Sequence, residues 1–527
     1  MISHTSKIVA ASQSNLFEAA KLFVLFPGNL YRYFNYKIKE KIKGLFCPLS
    51  LSLFIFFYPA SCLWAQPAQH EKVWDTLITG HFTKDEVRKK ILYIPINVPD
   101  GVTAFNMQAT ITEPANNVLD IGLFDERGIG LGRSNGFRGW AGGVSSKQVH
   151  VTKEEATPSY IPGPVNKGIW NVMLVPTSIK KDGYDWQLKV SLEKTGSPLK
   201  SFIAKPPRQW INDKKGWYRG DLHMHDVNSD GVYTQAELVA YSKSAGLDFM
   251  IPSNHNTNAA NLTWGRYDDS SILILNGEEI TPFQENHWNA IGINPDTWIE
   301  WRYDAASGLV NKYQEQVRLA GGLCVINHPY YEKDTIVDFR FPVEGFDAIE
   351  VWNGTWEDFD ENAVVWWNGM LKKGLVKTAI GASDSHKPDS KNIIAHPQTV
   401  VYAEGLNRNA IISGIRKGRC YIAENSNISL GLVVSPVHSK YSAAIGDTLF
   451  AKKRNKLSIL FNVKGISDSS IVILISNKGI EHTFQNVKAN SVLKYKVART
   501  GIQYIRAEVR KTDRTMQALT NPVWIEK

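Results

Sequence analysis

The sequence predicts an α/β barrel over residues 206–425, held between an N-terminal β-sandwich (66–205) and a smaller C-terminal β domain (426–527). Three observations lead there. Up to about residue 200 the apolar residues alternate with polar ones, and no helical stripe is sustained. After Gly216 short apolar strands alternate with helical segments, and at this length such repeats are best accommodated by an enclosed parallel barrel. From about 426 the period-two pattern returns.

Residues 1–65 precede these domains. "YKIKEKIK" leads into the apolar, small-residue stretch "GLFCPLSLSLFIFFYPASCLWAQ", the pattern of an export signal with cleavage after Ala65. This places the mature chain in the periplasm or outside the cell. A lipid anchor on Cys62 is the lesser alternative, and membrane contact is expected only through the leader or that anchor. The leader carries seven basic and two acidic residues, which leaves +4 of the formal +9 charge for the rest. Without a basic stripe, no stable nucleic-acid complex is expected. Cys324 and Cys420 alone remain after cleavage, too few for a disulfide framework, and Cys324 in "GGLCVI" reads as a buried apolar residue.

In the sandwich, "KILYIPINV", "AFNMQATIT", "VLDIGLFDERG", "GIWNVMLV" and "DWQLKVSLE" are the strand candidates, while "GWAGG" and "PSYIPGP" read as loops and "KPPRQW" as a linker. In the barrel, strands are expected at "YRGDLHMH", "LDFMIPSNHN", "SILILNGEEI", "NAIGIN", "LCVINHP", "FDAIEVWNG" and "VKTAIGASDSH". "TQAELVAYSKSAG", "LVNKYQEQVRLAGG" and "AVVWWNGMLKKG" are the helices between them. "ISLGLVV", "LSILFNVKG", "SIVILISN" and "YIRAEVR" form the closing β domain.

Most of the central strand candidates end in a potential metal ligand. His223 and His225 lie two apart on a strand and so face one way. Asp230, His255, Glu278 or Glu279, His287, His328, Asp384 and His386 follow in order. Strand C-termini of an α/β barrel share one mouth, so these groups would converge there. Singly, each has a plainer explanation, such as a packed histidine, a solvated acid or a turn. "DVNSDGVYTQAE" also matches the twelve-residue calcium loop of an EF-hand, through Asp226, Asn228, Asp230, Gly231 and Glu237. However, the segment entering that loop is extended rather than helical, and Thr234 with Glu237 reads better as a helix capping box.

The series "GDLHMHDVNSDG", "IPSNHN", "NGEEIT", "NHW", "INHP" and "GASDSH" resembles the PHP (polymerase and histidinol phosphatase) metallohydrolases, in particular their carbaryl-hydrolase-like (CehA/McbA) branch. The resemblance implies a distorted seven-stranded (β/α) barrel with two or three divalent ions, Zn, Mn or Fe. It implies a first ion held by His223, His225, Glu279 and Asp384, and a second by Glu279, His287 and His328. A third would lie among Asp230, His255 and His386. Asp384, Glu279 and His287 are the catalytic candidates. Asn254 and Asp226 depart from the family's usual residues, which bears on the surroundings of the ligands.

The function expected is an exported metal-dependent hydrolase in which bound water, made acidic by the ions, attacks a small-molecule phosphoester, a mono- or diester. Arg219 and Lys387, beside the first and last motifs, are candidates to contact an anionic substrate. Carbamate or carboxylic ester hydrolysis is the alternative within enzymes. A glycan- or envelope-binding protein with a structural metal centre is the alternative outside them, through Trp352, Trp366 and Trp367 if those rings are exposed.

Overall fold

A computed structural model of the chain describes residues 70–527 apart from 132–135, 145, 181, 197, 283–284, 331–338 and 389–390. The leader, with its cleavage site and Cys62, lies outside the described residues.

Residues 70–195 form two four-stranded antiparallel sheets. The first has the order β1 (His70–Thr83), β8 (Gly183–Thr195), β3 (Ala104–Ile111), β6 (Ser146–Thr152). The second runs β2 (Leu92–Val98), β7 (Gly168–Ile179), β4 (Asn117–Phe124), β5 (Phe137–Val144). The sequence dictates which face turns inward. In β8, Tyr184, Trp186, Leu188, Val190 and Leu192 are buried while most residues between them are exposed, the period expected where one face packs and the other is wet. "GWAGG", read above as a loop, is the body of β5. Glycines had masked a strand whose edge packs against the rest of the molecule.

After β9 (Trp210–Asn212), the central strands are β10 (Gly216–Asp221), β11 (Phe249–Met250), β12 (Leu273–Ile274), β13 (Gly277–Ile280), β14 (Trp288–Ile291), β15 (Leu323–Ile326), β16 (Ala348–Asn353) and β17 (Thr378–Ala382). They lie in two sheets rather than one all-parallel barrel. β10, β11 and β12 pair in parallel. In the order β13-β14-β15-β16-β17, β14 is antiparallel to both neighbours. The connection 281–287 is far shorter than the dozen or so residues that a parallel crossover needs, so the chain turns back as a hairpin. No continuous ladder closes the strands into a barrel among the described residues. Isolated parallel bridges, Met224 with Ser385 and His255 with Glu279, join the two sheets at the strand ends.

The closing strands lie in two sheets: Ser429–Pro436, Ala443–Ala444, Lys456–Lys464 and Ser491–Ala498 form a four-stranded sheet of their own, and the others extend the central sheet. Cys420–Ala423 pairs with Met516–Thr520, so one eleven-stranded sheet runs from β12 through β10 and out to Ser470–Ser476 and Gly479–Val487. The sandwich is joined as firmly. Phe124, Phe137, Trp140, Met173 and Val175 belong to the same apolar core as Trp288, Trp301, Trp352 and Trp367. Phe137 stacks on Trp298 at 4.1 Å between centroids, and the Arg302 guanidinium lies 4.5 Å over Phe124.

Candidate metal centre

The end of each strand is pinned to its neighbour by the backbone, and this sets the ligand positions. Asp384 N–H donates to His223 O (2.9 Å) and His225 N–H to Ser385 O (3.0 Å). Glu279 N–H donates to Asn254 O (3.1 Å), Asn256 N–H to Glu279 O (2.9 Å) and Asn327 N–H to His287 O (3.2 Å). The loop after His225 is folded tightly back: a Cβ on Gly231 would stand 2.5 Å from the carbonyl carbon of His225. Glycine is therefore required there by close approach, not by calcium. His328 (φ 22°) and Asp384 (φ 50°) both have left-handed backbone, a strained geometry for non-glycine residues that is concentrated at functional sites.

All nine candidate ligands come together. Glu279, 1% exposed, is at the centre. Its Oε2 lies 3.1 Å from His223 Nε2, 3.3 Å from His225 Nε2 and 3.1 Å from His255 Nδ1. Its Oε1 lies 3.0 Å from His287 Nδ1 and 3.4 Å from His328 Nε2. Asp384 Oδ1 is 3.0 Å from His225 Nε2 and 3.3 Å from His223 Nε2. At the exposed rim, Asp230 Oδ1 is 3.3 Å from His386 Nε2 and 3.7 Å from His255 Nε2. Four groups could each hold an ion: His223–His225–Asp384, His223–Glu279–His328, His255–Glu279–His287, and His225–Asp230–His255–His386. The grouping differs in detail from that implied by the resemblance, since His225 also joins the rim group and His255 also joins Glu279 and His287. Glu278, the alternative glutamate, points away from the cluster and accepts from Ile299 N–H at 3.1 Å, as the two-residue period of a strand requires.

This donor set fits divalent cations. Ligands 2.0–2.2 Å from a tetrahedral ion lie about 3.3–3.6 Å from each other, close to the spacings around Glu279 and Asp384. Buried His223 Nε2 and Glu279 Oε2, though 3.1 Å apart, make no well-oriented hydrogen bond among the described residues, which would be unfavourable if nothing else satisfied them. Imidazole with carboxylate suits Zn, Mn or Fe.

Burial works against the charged form of Glu279, but its interactions with the His255, His223 and His287 rings outweigh it and hold the carboxyl well below the usual range. Asp384 is lowered in the same way, mainly by His223. Burial drives His225, His255 and His287 down, keeping those rings in the neutral form a cation requires. His223 goes the other way: burial lowers it, but Asp384, Glu279 and Glu350 together raise it well above the usual value.

The predicted substrate contacts fare differently. Arg219 does not reach the cluster. Four residues before His223, it donates to Gln398 Oε1 (3.1 Å), Ile428 O (2.8 Å) and Ser429 Oγ (3.2 Å), and so ties the central sheet to the closing strands. Lys387 is exposed beside His386, with no hydrogen bond among the described residues. Trp352 and Trp367 are 2% and 0% exposed and offer no stacking face, while Trp366 is half-buried against the same core. The EF-hand does not form. Its entering segment is β10, Glu237 caps the helix Gln235–Ser244 through Thr234, and Asp226 Oδ1 accepts from Asn228. Asn254 Oδ1 accepts from Asp226 N–H (3.1 Å) and Ser229 Oγ (2.8 Å), which braces the loop.

Several residues around the ligands went unnoticed in the sequence. Glu350 lies 3.2 Å from His223 Nδ1, Asn327 Nδ2 donates to Glu279 Oε1 (2.9 Å), and Thr281 Oγ1 is 2.7 Å from His255 Nδ1. Such partners fix ring orientation. A carboxylate inside the apolar strand "AIEVWN" is the one signal that could have drawn attention to Glu350.

No family model and no curated protein matches the chain. Among solved structures, the chain is similar to a two-domain protein from Bacteroides vulgatus described as containing a predicted PHP-like metal-dependent phosphoesterase. They share 16% identity over 62% of this chain and 100% of that one, with a TM-score of 0.36. It is also similar to an amidohydrolase from Chromobacterium violaceum with bound sulfate and no metal, at 18% identity over 33% of this chain and 89% of that one, TM-score 0.25.

Proposed function

We propose that the protein is an exported metal-dependent hydrolase of the PHP type that cleaves phosphoesters of small molecules. The observation that carries this reading is the crowding of five imidazoles about the single carboxylate of Glu279, with Asp384 and Asp230 completing the shell. His223, His225, Glu279 and Asp384 would hold one cation, His287 and His328 with Glu279 a second, and Asp230, His255 and His386 a third at the rim. Bound cations would supply Lewis acidity, polarising the phosphoryl oxygens and neutralising the charge that develops on them.

The chain's own groups do the rest. Asp384, whose Oδ2 lies 3.4 Å from Asn353 Nδ2, is placed to take a proton from an attacking water. Glu279 fixes the spacing of the histidines on its two sides. His287, partly exposed, reaches the rim from the hairpin, where it can meet a substrate oxygen. Thr281 and Glu350 hold the His255 and His223 rings, and Asn327 holds the Glu279 carboxylate, so that little reorganisation accompanies the reaction.

Metal analysis of the purified protein tests this, followed by chelation and readdition with p-nitrophenyl phosphate, bis-p-nitrophenyl phosphate and a naphthyl carbamate. Metal-restored turnover of either phosphate is the expected result. Turnover of the carbamate alone would transfer the same site to ester chemistry, and a metal-free, inert protein would refute the proposal.

A further inference from the structure

One loop of the sandwich reaches the backbone that carries the rim ligands. Ser159, in the segment "PSYIPGP", is fully buried and has left-handed backbone (φ 81°), a strained geometry for a residue with a side chain. Its N–H donates to Asn228 Oδ1 (3.0 Å), and its carbonyl accepts from Thr257 Oγ1 (3.0 Å). We propose that Asn228 and Thr257 are positioning residues: gripped by Ser159, they hold Asp230 and His255 in place, and with them the cation at the rim. The inference rests on the metal-dependent reading for its ligand and goes beyond it in making the sandwich a working part of the site.

Both ends of this link are fixed. On the sandwich side, Thr157 N–H donates to His150 O (2.9 Å), Ile161 N–H to Arg138 O (2.7 Å) and Tyr160 Oη to Ile121 O (3.1 Å), so the loop is tied to strands of both sheets. Gly139 lets it come close: a Cβ there would stand 2.5 Å from Ser159 O. On the site side, Asn228 donates through its N–H (2.7 Å) and Nδ2 (2.9 Å) to Asp226 Oδ1, and Thr257 Oγ1 accepts from Ala259 N–H (3.3 Å). Asn228 and Thr257 are themselves buried. Removing either side chain's polar group takes a buried partner from the Ser159 backbone, which is unfavourable.

The link bears on the rim rather than on the whole cluster. Asn228 lies two residues before Asp230, and Thr257 two after His255; both ligands belong to the rim group with His225 and His386. The backbone bonds that pin His223, His225, Glu279, His287 and Asp384 run between ends of the central strands and do not involve the sandwich. His255 is held on both sides, by the Asn256 bond to Glu279 O and by Thr257. Asp230, in the turn 227–230, ends no strand, so its place depends on what that turn is fastened to. Partners one step removed from a metal are typically worth 10- to 100-fold in its affinity.

The test titrates zinc and manganese into the full chain freed of metal, and identifies the rim cation as the one lost in Asp230→Ala. Asn228→Ala should weaken that cation about tenfold and Thr257→Val severalfold, with the deeper cations within about twofold of wild type. Thr257→Ser, which keeps the hydroxyl, should restore wild-type affinity. A rim cation unchanged in both Asn228→Ala and Thr257→Val, a loss shared equally by all cations, or failure of Thr257→Ser to restore it overturns the proposal. A wild type whose cations are all indifferent to Asp230→Ala overturns it too. If one of the two variants does not fold, the other carries the comparison. If wild type takes up no cation, the metal-dependent reading fails, and amide hydrogen exchange decides the clamp. Exchange over 226–231 and 254–258 quickened about tenfold in Asn228→Ala, with Trp288–Ile291 unchanged, sustains the clamp, and unchanged exchange overturns it.

Discussion

Replacing Glu350 with glutamine measures how far the centre depends on a carboxylate outside the nine ligands. Glu350 is 1% exposed, and its two oxygens lie 3.3 and 3.2 Å from His223 Nδ1. Oε2 also accepts from His328 N–H (3.2 Å) and Oε1 from Asn353 Nδ2 (3.2 Å). Glutamine preserves the shape and one acceptor but removes the charge. A hydrogen bond to an ionised group contributes about 1.5–3 kcal/mol, against about 1 for a neutral one, so the imidazole loses roughly 0.5–2 kcal/mol of support as a cation ligand. That corresponds to a fall of about 2- to 30-fold in metal affinity, overlapping the 10- to 100-fold typical of such outer partners. The metal-free fold should respond in the opposite sense, because no charge then has to be desolvated and its melting temperature should hold or rise. Competition with a chromophoric chelator for Zn and Mn reads the first effect, and calorimetry without metal the second. A glutamine variant with affinity within about twofold of wild type would refute the reasoning, as would one that loses affinity only in proportion to lost stability.

Metal at about one hundred times its Kd should stabilise the wild type by about 2.7 kcal/mol and raise its melting temperature, and chelator should reverse this. His225→Ala should lose most of that gain, along with turnover of p-nitrophenyl phosphate; a variant with undiminished gain and turnover would remove His225 from the centre. Arg219→Ala should lose about 1.5–3 kcal/mol of stability, as three buried or half-buried hydrogen bonds to the closing strands disappear, with metal stoichiometry unchanged. If it instead abolished turnover at full stability, the structural role would be wrong. Burial raises the folded Asp120 carboxyl to about 7 from 3.8. An acid raised in this way is best tolerated below its unfolded value, and it destabilises the fold progressively as pH climbs from about 4 to 7. Asp120→Asn should therefore be more stable than wild type by about 4 kcal/mol at pH 8, and by under about 1 kcal/mol at pH 4. Equal stability in urea titrations at both pH values would show that the carboxyl is not raised.

The ligand residues were legible because they lie at or near the ends of apolar strands, and strand ends converge wherever strands lie side by side. The choice of Glu279 over Glu278 is visible in the structure as strand alternation, one side chain turned to the histidines and the other to Ile299. What could not be read was everything set by tertiary packing. Arg219 is near the histidines in sequence, but its side chain turns to Gln398, Ile428 and Ser429 instead. The tryptophans of "VWNGTW" and "WWNGM" carried no sign of which face they lay on. "GWAGG" had no strand signature because of its glycines, of which Gly139 makes room for Ser159 and Tyr160 and Gly142 for the Trp140 ring. The antiparallel β14 depended on a short connection whose length only the strand bounds reveal.

The apolar core shared by Phe124, Phe137, Trp140 and Trp301 means that the ligand cluster and the sandwich are not separable folding modules. Trimming the gene to residues 206–425 would strip Cys420–Ala423 of its outer partner and expose a belt of aromatic surface on the other flank. Such a fragment should aggregate rather than work. Any exchange of the sandwich for another would have to carry the facing half of that shared core along.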